Sequence, residues 1–506
     1  MSFKRNILAS YATQIYMALV GILTLPLYLK YMGAEAYGLV GFFTMLQVWF
    51  NLLDMGLTPT VSRETARFRG GATDALSYRR LLRALQFIFF IVALLGGGAM
   101  FMFSGHIADG WLKVQTLQLA QVQLALQLMA IGVALRWMSG LYRGCISGSE
   151  RLVWLGGFSA FVATLRFLGV LPVLIWIGHS PAVFFTYQLL VAVIELTGLA
   201  AKAYGSFPSV PSGQRLGWSP ASLLTPIKPI LKFSLTVAFT SSVWLVVTHT
   251  DKLVLSKLLP LADYGYFTLA VLAASGVMMI SSPISGALMP RMARLHAQGD
   301  EAGLISLYRN ATQMVAVIAI PASLILAFFA EQVLWVWTGD VQAARQAAPV
   351  LHLYALGNGI LALGAFPYYL QYAKGDLKLH MIGNVLLLVL LIPALIWATL
   401  RYGVIGAGYA WLGANAVYFL VWVPKVHGRF VKGLHVQWLL KDLGMIVLLS
   451  VTATAAVNKF IHWPQQRIAL AYHVVMVIFA LLTIAALGSS WVRKTASSKW
   501  RDRFAG

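Results

Sequence analysis

Cysteine is almost missing from this chain: Cys145 is the only one in 506 residues. An internal disulfide is therefore excluded, as is any metal site built from thiolates. Acid is scarce, with 16 Asp+Glu against 38 Lys+Arg, and charged residues of both signs make up only 11%. A soluble chain carries roughly a quarter, and no stretch here is both polar enough and long enough to fold as a separate soluble domain. Also absent are a His/Cys/Asp cluster at ligand spacing, a phosphate-cradling glycine loop and a strand–Ser–helix nucleophile turn. His352, His380 and His473 fall near the ends of apolar runs without such spacing. The expectation is a protein with no catalytic residue, no metal and no cofactor.

What the chain has instead is oil. Hydrophobic residues make up 59% and the mean hydropathy is +0.76, with apolar runs of about 20 residues recurring from end to end, the length that crosses a bilayer as a helix. Apolar runs and polar breaks predict an all-α polytopic membrane protein of about 14 transmembrane helices. The spans fall near 7–29, 38–60, 84–106, 116–138, 152–177, 182–204, 230–256, 264–289, 311–333, 348–370, 379–400, 404–424, 441–461 and 468–491. The first run is longer than a signal-peptide core and lacks a clear small-residue cleavage site, so it is read as a retained helix.

The formal charge of +22 would suggest nucleic acid in a soluble protein. Here its distribution gives another reason. With the N-terminus placed in the cytoplasm, Lys30, Lys113, Lys257, Arg345, Arg401, Lys459 and Arg467 fall to the outer face. Arg136, Arg166 and Lys252 lie inside spans, and the other 28 of the 38 basic residues are cytoplasmic. That bias alternates loop by loop as the positive-inside rule requires. It predicts both termini in the cytoplasm and no nucleic-acid partner. Trp176, Trp397, Trp422 and Trp491, near span ends, suit an interfacial belt.

The chain also repeats itself. Tyr37-Gly38 recurs as Tyr264-Gly265, Lys30 as Lys257, and Ala66-Arg67 as Ala293-Arg294, all at one offset of 227. A unit of six helices is even in number, so two copies enter the membrane the same way round and form a parallel repeat about an axis along the membrane normal. The expected domains are an N-lobe (1–205), a cytoplasmic linker (206–229), a C-lobe (230–425) and two accessory helices with a tail (426–506). Two-lobed membrane proteins of this kind transport by alternating access, with the cavity between lobes.

The basic N-terminus and three segments, LPLYLKYMGAEAYGLVGFF (25–43), LLDMGLTPTVSRETAR (52–67) and THTDKLVLSKLLPLADYGYFTLA (248–270), together resemble the Wzx-type polysaccharide flippases of the multidrug/oligosaccharidyl-lipid/polysaccharide transporter superfamily. The resemblance spans roughly 1–425. It implies 14 helices in two six-helix lobes plus two, and transfer of an undecaprenyl-diphosphate-linked oligosaccharide across the bacterial inner membrane for O-antigen, capsule or exopolysaccharide synthesis. It also implies membrane lipids and polysaccharide polymerase machinery as partners, and a proton or cation gradient as the driving force.

Six ionisable residues of interest fall within spans: Asp54, Arg136, Arg166, Glu195, Asp251 and Lys252. Such groups are expensive in lipid and functional by default. Counting along the helices puts Arg166 about 21 Å and Glu195 about 20 Å into a core about 30 Å thick. Two readings follow, a structural ion pair between the fifth and sixth spans, or a cavity in which Arg166 meets the diphosphate and Glu195 pairs or carries a proton. Arg136, expected at the inner end of the fourth span, either snorkels to headgroups or captures the diphosphate at the inner mouth. Lys252 could snorkel outward or bind substrate, and with Asp251 and His249 forms a titratable group that either couples transport or pairs locally. Asp54 is read as accepting backbone donors freed where GLTP (56–59) breaks the helix, with proton coupling as the alternative.

A multidrug exporter of the same superfamily commonly carries an acid in the first span, and a peptidoglycan-precursor flippase carries arginines in the first two; this chain has neither. A glycan polymerase or ligase needs a large outer loop, and the outer loops here are short.

Overall fold

A computed structural model describes residues 3–54, 56–209, 225–227, 245–246 and 248–494. The protein is all-helical as expected, and the described residues contain no β-strand, only an isolated bridge between Lys113 and Pro260. Twelve described helices are long and apolar enough to cross a membrane. The expected second span is present but broken. The expected linker (206–229) and seventh span (230–256) lie largely outside the described residues, as does the tail after 494.

Two compact units divide at Gly265, Met1–Gly265 and Tyr266–Gly506. The first is built from α1 (Phe3–Met32), α2 (Ala34–Phe50), α3 (Leu57–Arg69), α4 (Ala75–Met102), α5 (Leu119–Gly148), α6 (Leu152–Phe167), α7 (Val170–Trp176) and α8 (Pro181–Tyr204). Its core includes Leu82, Leu85, Phe89, Trp137, Leu141 and Cys145. The second contains most of α9 (Leu261–Ala297), then α10 (Glu301–Phe328) and the helices onward to Arg467–Gly488. Its core draws Tyr308 and Phe366 together with Trp438, Ile446 and Ala485 from the last two spans. Those spans are also tied down by charge. Asp442 is 2% exposed and accepts Arg309 Nε at 2.7 Å and Nη2 at 3.0 Å. Gln313 donates to the same carboxylate at 2.9 Å, and its own carbonyl accepts from Ser489 Oγ at 2.8 Å and the Trp491 amide at 2.9 Å.

Two breaks shape the first unit. After α2 the chain tightens into a 3₁₀ turn, Asn51–Asp54, and Gly56 adopts the left-handed conformation (φ 68°) before α3 begins. Asp54 then accepts the Thr58 amide at 3.2 Å and its hydroxyl at 2.7 Å, closing the start of α3 as a capping carboxylate does. The second break separates α6 from α7 at Leu168 and Gly169. Pro172 has no N–H for the carbonyl four residues back. Side chains take up carbonyls near the break: Tyr28 donates to Phe167 O at 2.7 Å, Tyr187 to Leu165 O at 3.0 Å, and Gln188 Nε2 to Arg166 O at 3.0 Å.

The repeated Tyr-Gly motifs meet inside the first unit. A Cβ on Gly38 would strike the Leu261 carbonyl, and one on Gly265 would strike the Ala34 carbonyl. The offset that carries 38 to 265 also carries 34 to 261, so the two contacts correspond in sequence. Of the interfacial tryptophans, Trp176 and Trp397 are exposed. Trp422 is instead buried and donates to Leu379 O at 3.1 Å.

Candidate functional site

Four intramembrane charges of the first unit, Arg136, Arg143, Arg166 and Glu195, lie in two layers. On α5, α6 and α8 the polar residues come in pairs seven apart: Arg136 and Arg143, Ser159 and Arg166, Gln188 and Glu195. Seven residues are close to two turns, so each pair shares one helix face about 10.5 Å apart.

In one layer Arg136 Nη2 donates to Gln188 Oε1 at 3.0 Å, and Arg166 Nη2 donates to Gln47 Oε1 on α2 at 3.0 Å. Gln188, bonded to the Arg166 carbonyl as well as to Arg136, links the two arginines. Arg136 also lies over the Phe43 ring, one turn before Gln47, with 5.5 Å from guanidinium carbon to centroid. In the other layer Arg143 forms an ion pair with Glu195 Oε1, and its Nη1 donates to Ser159 Oγ at 3.0 Å. Glu195 joins the layers, since its Oε2 is 3.9 Å from Arg136 Nε. The side chains of Arg136 and Glu195 are each only 9% exposed.

Two expectations change. Arg166 and Glu195 do not form the anticipated pair: Arg143 and Arg136 are the glutamate's partners, and Arg166 bonds to Gln47. The reason is register. Gln188 sits at the level of Arg166, and Glu195 is two turns further along α8, at the level of Arg143. Depth counted from uncertain span ends cannot resolve two turns. Arg136 does not snorkel either. The fourth span was expected to end near 138, but α5 continues to Gly148, which puts Arg136 in mid-helix and brings Arg143 into the span. Arg143, Gln188 and Ser159 were missed, although the seven-residue pairing was there to be seen, and Gln47, outside that pairing, was missed for want of any such signal.

The other charges stand in their own settings. Asp54 is the helix cap described above. Asp251 is 1% exposed, and its Oδ1 accepts the Lys252 amide at 2.8 Å and Lys252 Nζ at 3.3 Å. Lys252 Nζ also donates to Thr248 O at 3.2 Å. This is a local ion pair of adjacent residues.

The arginine layers hold three cations against one carboxylate. They also hold spare donors. Nε and Nη1 of Arg136 and Nε2 of Gln47 are buried with no hydrogen-bond partner among the described residues. Buried donors are nearly always satisfied in native proteins, and donors joined to excess positive charge fit an anionic, oxygen-rich group. Guanidinium forks suit phosphate in particular. No group of three or more His, Cys, Asp or Glu that could hold a metal occurs among the described residues.

The profile of polysaccharide biosynthesis proteins matches residues 3–296, and that of the lipid II flippase MurJ matches residues 230–487. A Shigella flexneri protein named "Putative O-antigen transporter" is 19% identical over 393 residues, which cover 78% of this chain and 90% of that one. Among solved structures, the lipid II flippase MurJ in an inward closed conformation superposes with a TM-score of 0.71 at 13% identity, over 98% of this chain and 99% of that one. An inward-facing multidrug resistance MATE family transporter of the MOP superfamily gives 0.58 at 17% identity, over 82% and 94%. At these identities the structural likeness shows the fold alone.

Proposed function

The chain belongs to the polysaccharide biosynthesis protein family, as a Wzx-type flippase of the MOP superfamily, and from that premise we propose that it moves undecaprenyl-diphosphate-linked oligosaccharides from the cytoplasmic to the periplasmic leaflet of the bacterial inner membrane. The observation that carries this reading is the partly buried arginine group of the first unit, with its net positive charge and unused donors. A diphosphate is the part of the cargo that lipid excludes most strongly, and a cation at mid-depth offsets that cost. Arg136, Arg143 and Arg166 receive it. Glu195 holds Arg136 and Arg143 in the absence of cargo and yields them to the incoming phosphate. Transport by alternating access, with N-lobe and C-lobe as the moving parts, both termini cytoplasmic and the glycan passed on to polymerase machinery, completes the proposal. Asp251 with Lys252 is its candidate coupling group.

The test uses purified protein in liposomes loaded with fluorescent lipid-linked oligosaccharide. Arg166→Ala and Arg136→Ala, checked for normal yield, should each slow transfer at least tenfold, and Arg166→Lys should retain part of it. Wild-type rates in both alanine variants would overturn the reading. A second reading is a lipid II flippase, favoured by the profile match over 230–487. It shares the diphosphate carrier, and the same liposomes loaded with lipid II separate the two.

A further inference from the structure

Gln47 sits on α2, the helix that contributes no charge to the arginine group. Its carbonyl Oε1 accepts from Arg166 Nη2 at 3.0 Å. A guanidinium has donors and no acceptor, so the carboxamide cannot be turned over. Its Nε2 is thereby fixed away from Arg166, and that atom is buried without a hydrogen-bond partner among the described residues. One turn earlier on α2, Phe43 carries the guanidinium of Arg136 on its ring, whose Nε and Nη1 are buried and likewise make no hydrogen bond among the described residues, the Nε lying 3.9 Å from Glu195 Oε2. Residues four apart on a helix lie on one face, so one side of α2 gathers three spare donors from two side chains. An amide donor locked in place beside excess positive charge has one natural complement, an oxygen that carries negative charge.

We infer that Gln47 is a ligand contact, its Nε2 donating to a phosphoryl oxygen of the diphosphate while its Oε1 holds Arg166 in position. This inference rests on the diphosphate reading above and adds to it a neutral residue that charge alone does not reveal. A locked carboxamide nitrogen also disfavours a cationic cargo, because it presents a directed donor and no acceptor.

The experiment measures binding of undecaprenyl diphosphate, with and without an attached oligosaccharide, to the full-length protein in nanodiscs. Gln47→Leu removes both hydrogen bonds, and Gln47→Glu keeps the acceptor for Arg166 while replacing the donor with an anion. A hydrogen bond to a charged acceptor is worth enough to change affinity about tenfold or more. The expected result is about a tenfold weaker Kd for Gln47→Leu, equal for the bare and the glycan-bearing lipid, and a larger loss for Gln47→Glu, which neutralises Arg166 as well. Wild-type affinity in both variants, alongside weakened binding in Arg166→Ala, would overturn the role of Gln47 and leave the diphosphate reading standing. A loss confined to the glycan-bearing lipid would overturn the phosphoryl assignment in favour of a sugar contact. No binding of either lipid by the wild type would overturn both.

Discussion

At the scale of single residues, the chemistry of this protein turns on how few acids accompany its buried arginines. Glu195 is the sole carboxylate in ion-pair contact with Arg136 and Arg143 among the described residues, and it acts as an internal substitute for the anion the site would otherwise bind. Two consequences oppose each other. Removing its charge strands two cations, and breaking a buried pair typically costs roughly 3–5 kcal/mol. It also removes the competitor for the ligand. Glu195→Gln should therefore lower the detergent melting temperature while tightening undecaprenyl diphosphate binding. Weaker binding in that variant would show that Glu195 holds the arginines in the shape the ligand needs. The same logic explains why Arg143 escaped the sequence reading. An arginine within an expected cytoplasmic loop (139–151) looks like any other positive-inside residue, and only the full length of α5 places it within the span.

At the scale of elements, glycines govern how close helices come. Gly38 and Gly265 each face a backbone carbonyl of the other's segment with no room for a methyl group. Gly38→Ala and Gly265→Ala should each force the segments apart and reduce the yield of folded protein. Gly98→Ala on α4, where nothing lies within 4 Å, should leave yield unchanged or slightly raised, since alanine favours helix by about 1 kcal/mol over glycine. Thermal unfolding of the three purified variants checks this, and equal stability of Gly265→Ala and Gly98→Ala would refute the close contact. The breaks at Asp54–Gly56 and at Leu168–Gly169 belong to this scale as well. The first was legible from GLTP and its nearby carboxylate. The second was not, because Gly169 and Pro172 lie in a run apolar enough to read as one span.

At the scale of the whole molecule, the proposed orientation rests on charge. Single cysteines introduced at positions 70, 213 and 433 in a Cys145→Ser background should be reached by membrane-impermeant thiol reagents only after the inner membrane is permeabilised, and those at 34, 109 and 403 in intact cells. The background needs only one substitution because Cys145 is the sole cysteine, and it is buried. Labelling of position 70 in intact cells would reverse the proposed topology.

The sequence by itself determined the class of this protein, because hydropathy over about 20 residues and the side on which lysines and arginines collect are local properties with large energies behind them. It suggested the repeat through Tyr37-Gly38 and Tyr264-Gly265, and it pointed to the capping role of Asp54, whose partner is four residues away. The tertiary structure decided which charges meet. Whether Glu195 faces Arg143 or Arg166 depends on how far α8 slides along α5 and α6, and that register is set by packing of apolar side chains that could be exchanged for one another without altering the hydropathy profile. Gln47 became visible for the same reason. A neutral amide in an apolar helix carries no signal of its own, and it acquired one only when the fold placed an arginine against its oxygen and left its nitrogen without a partner.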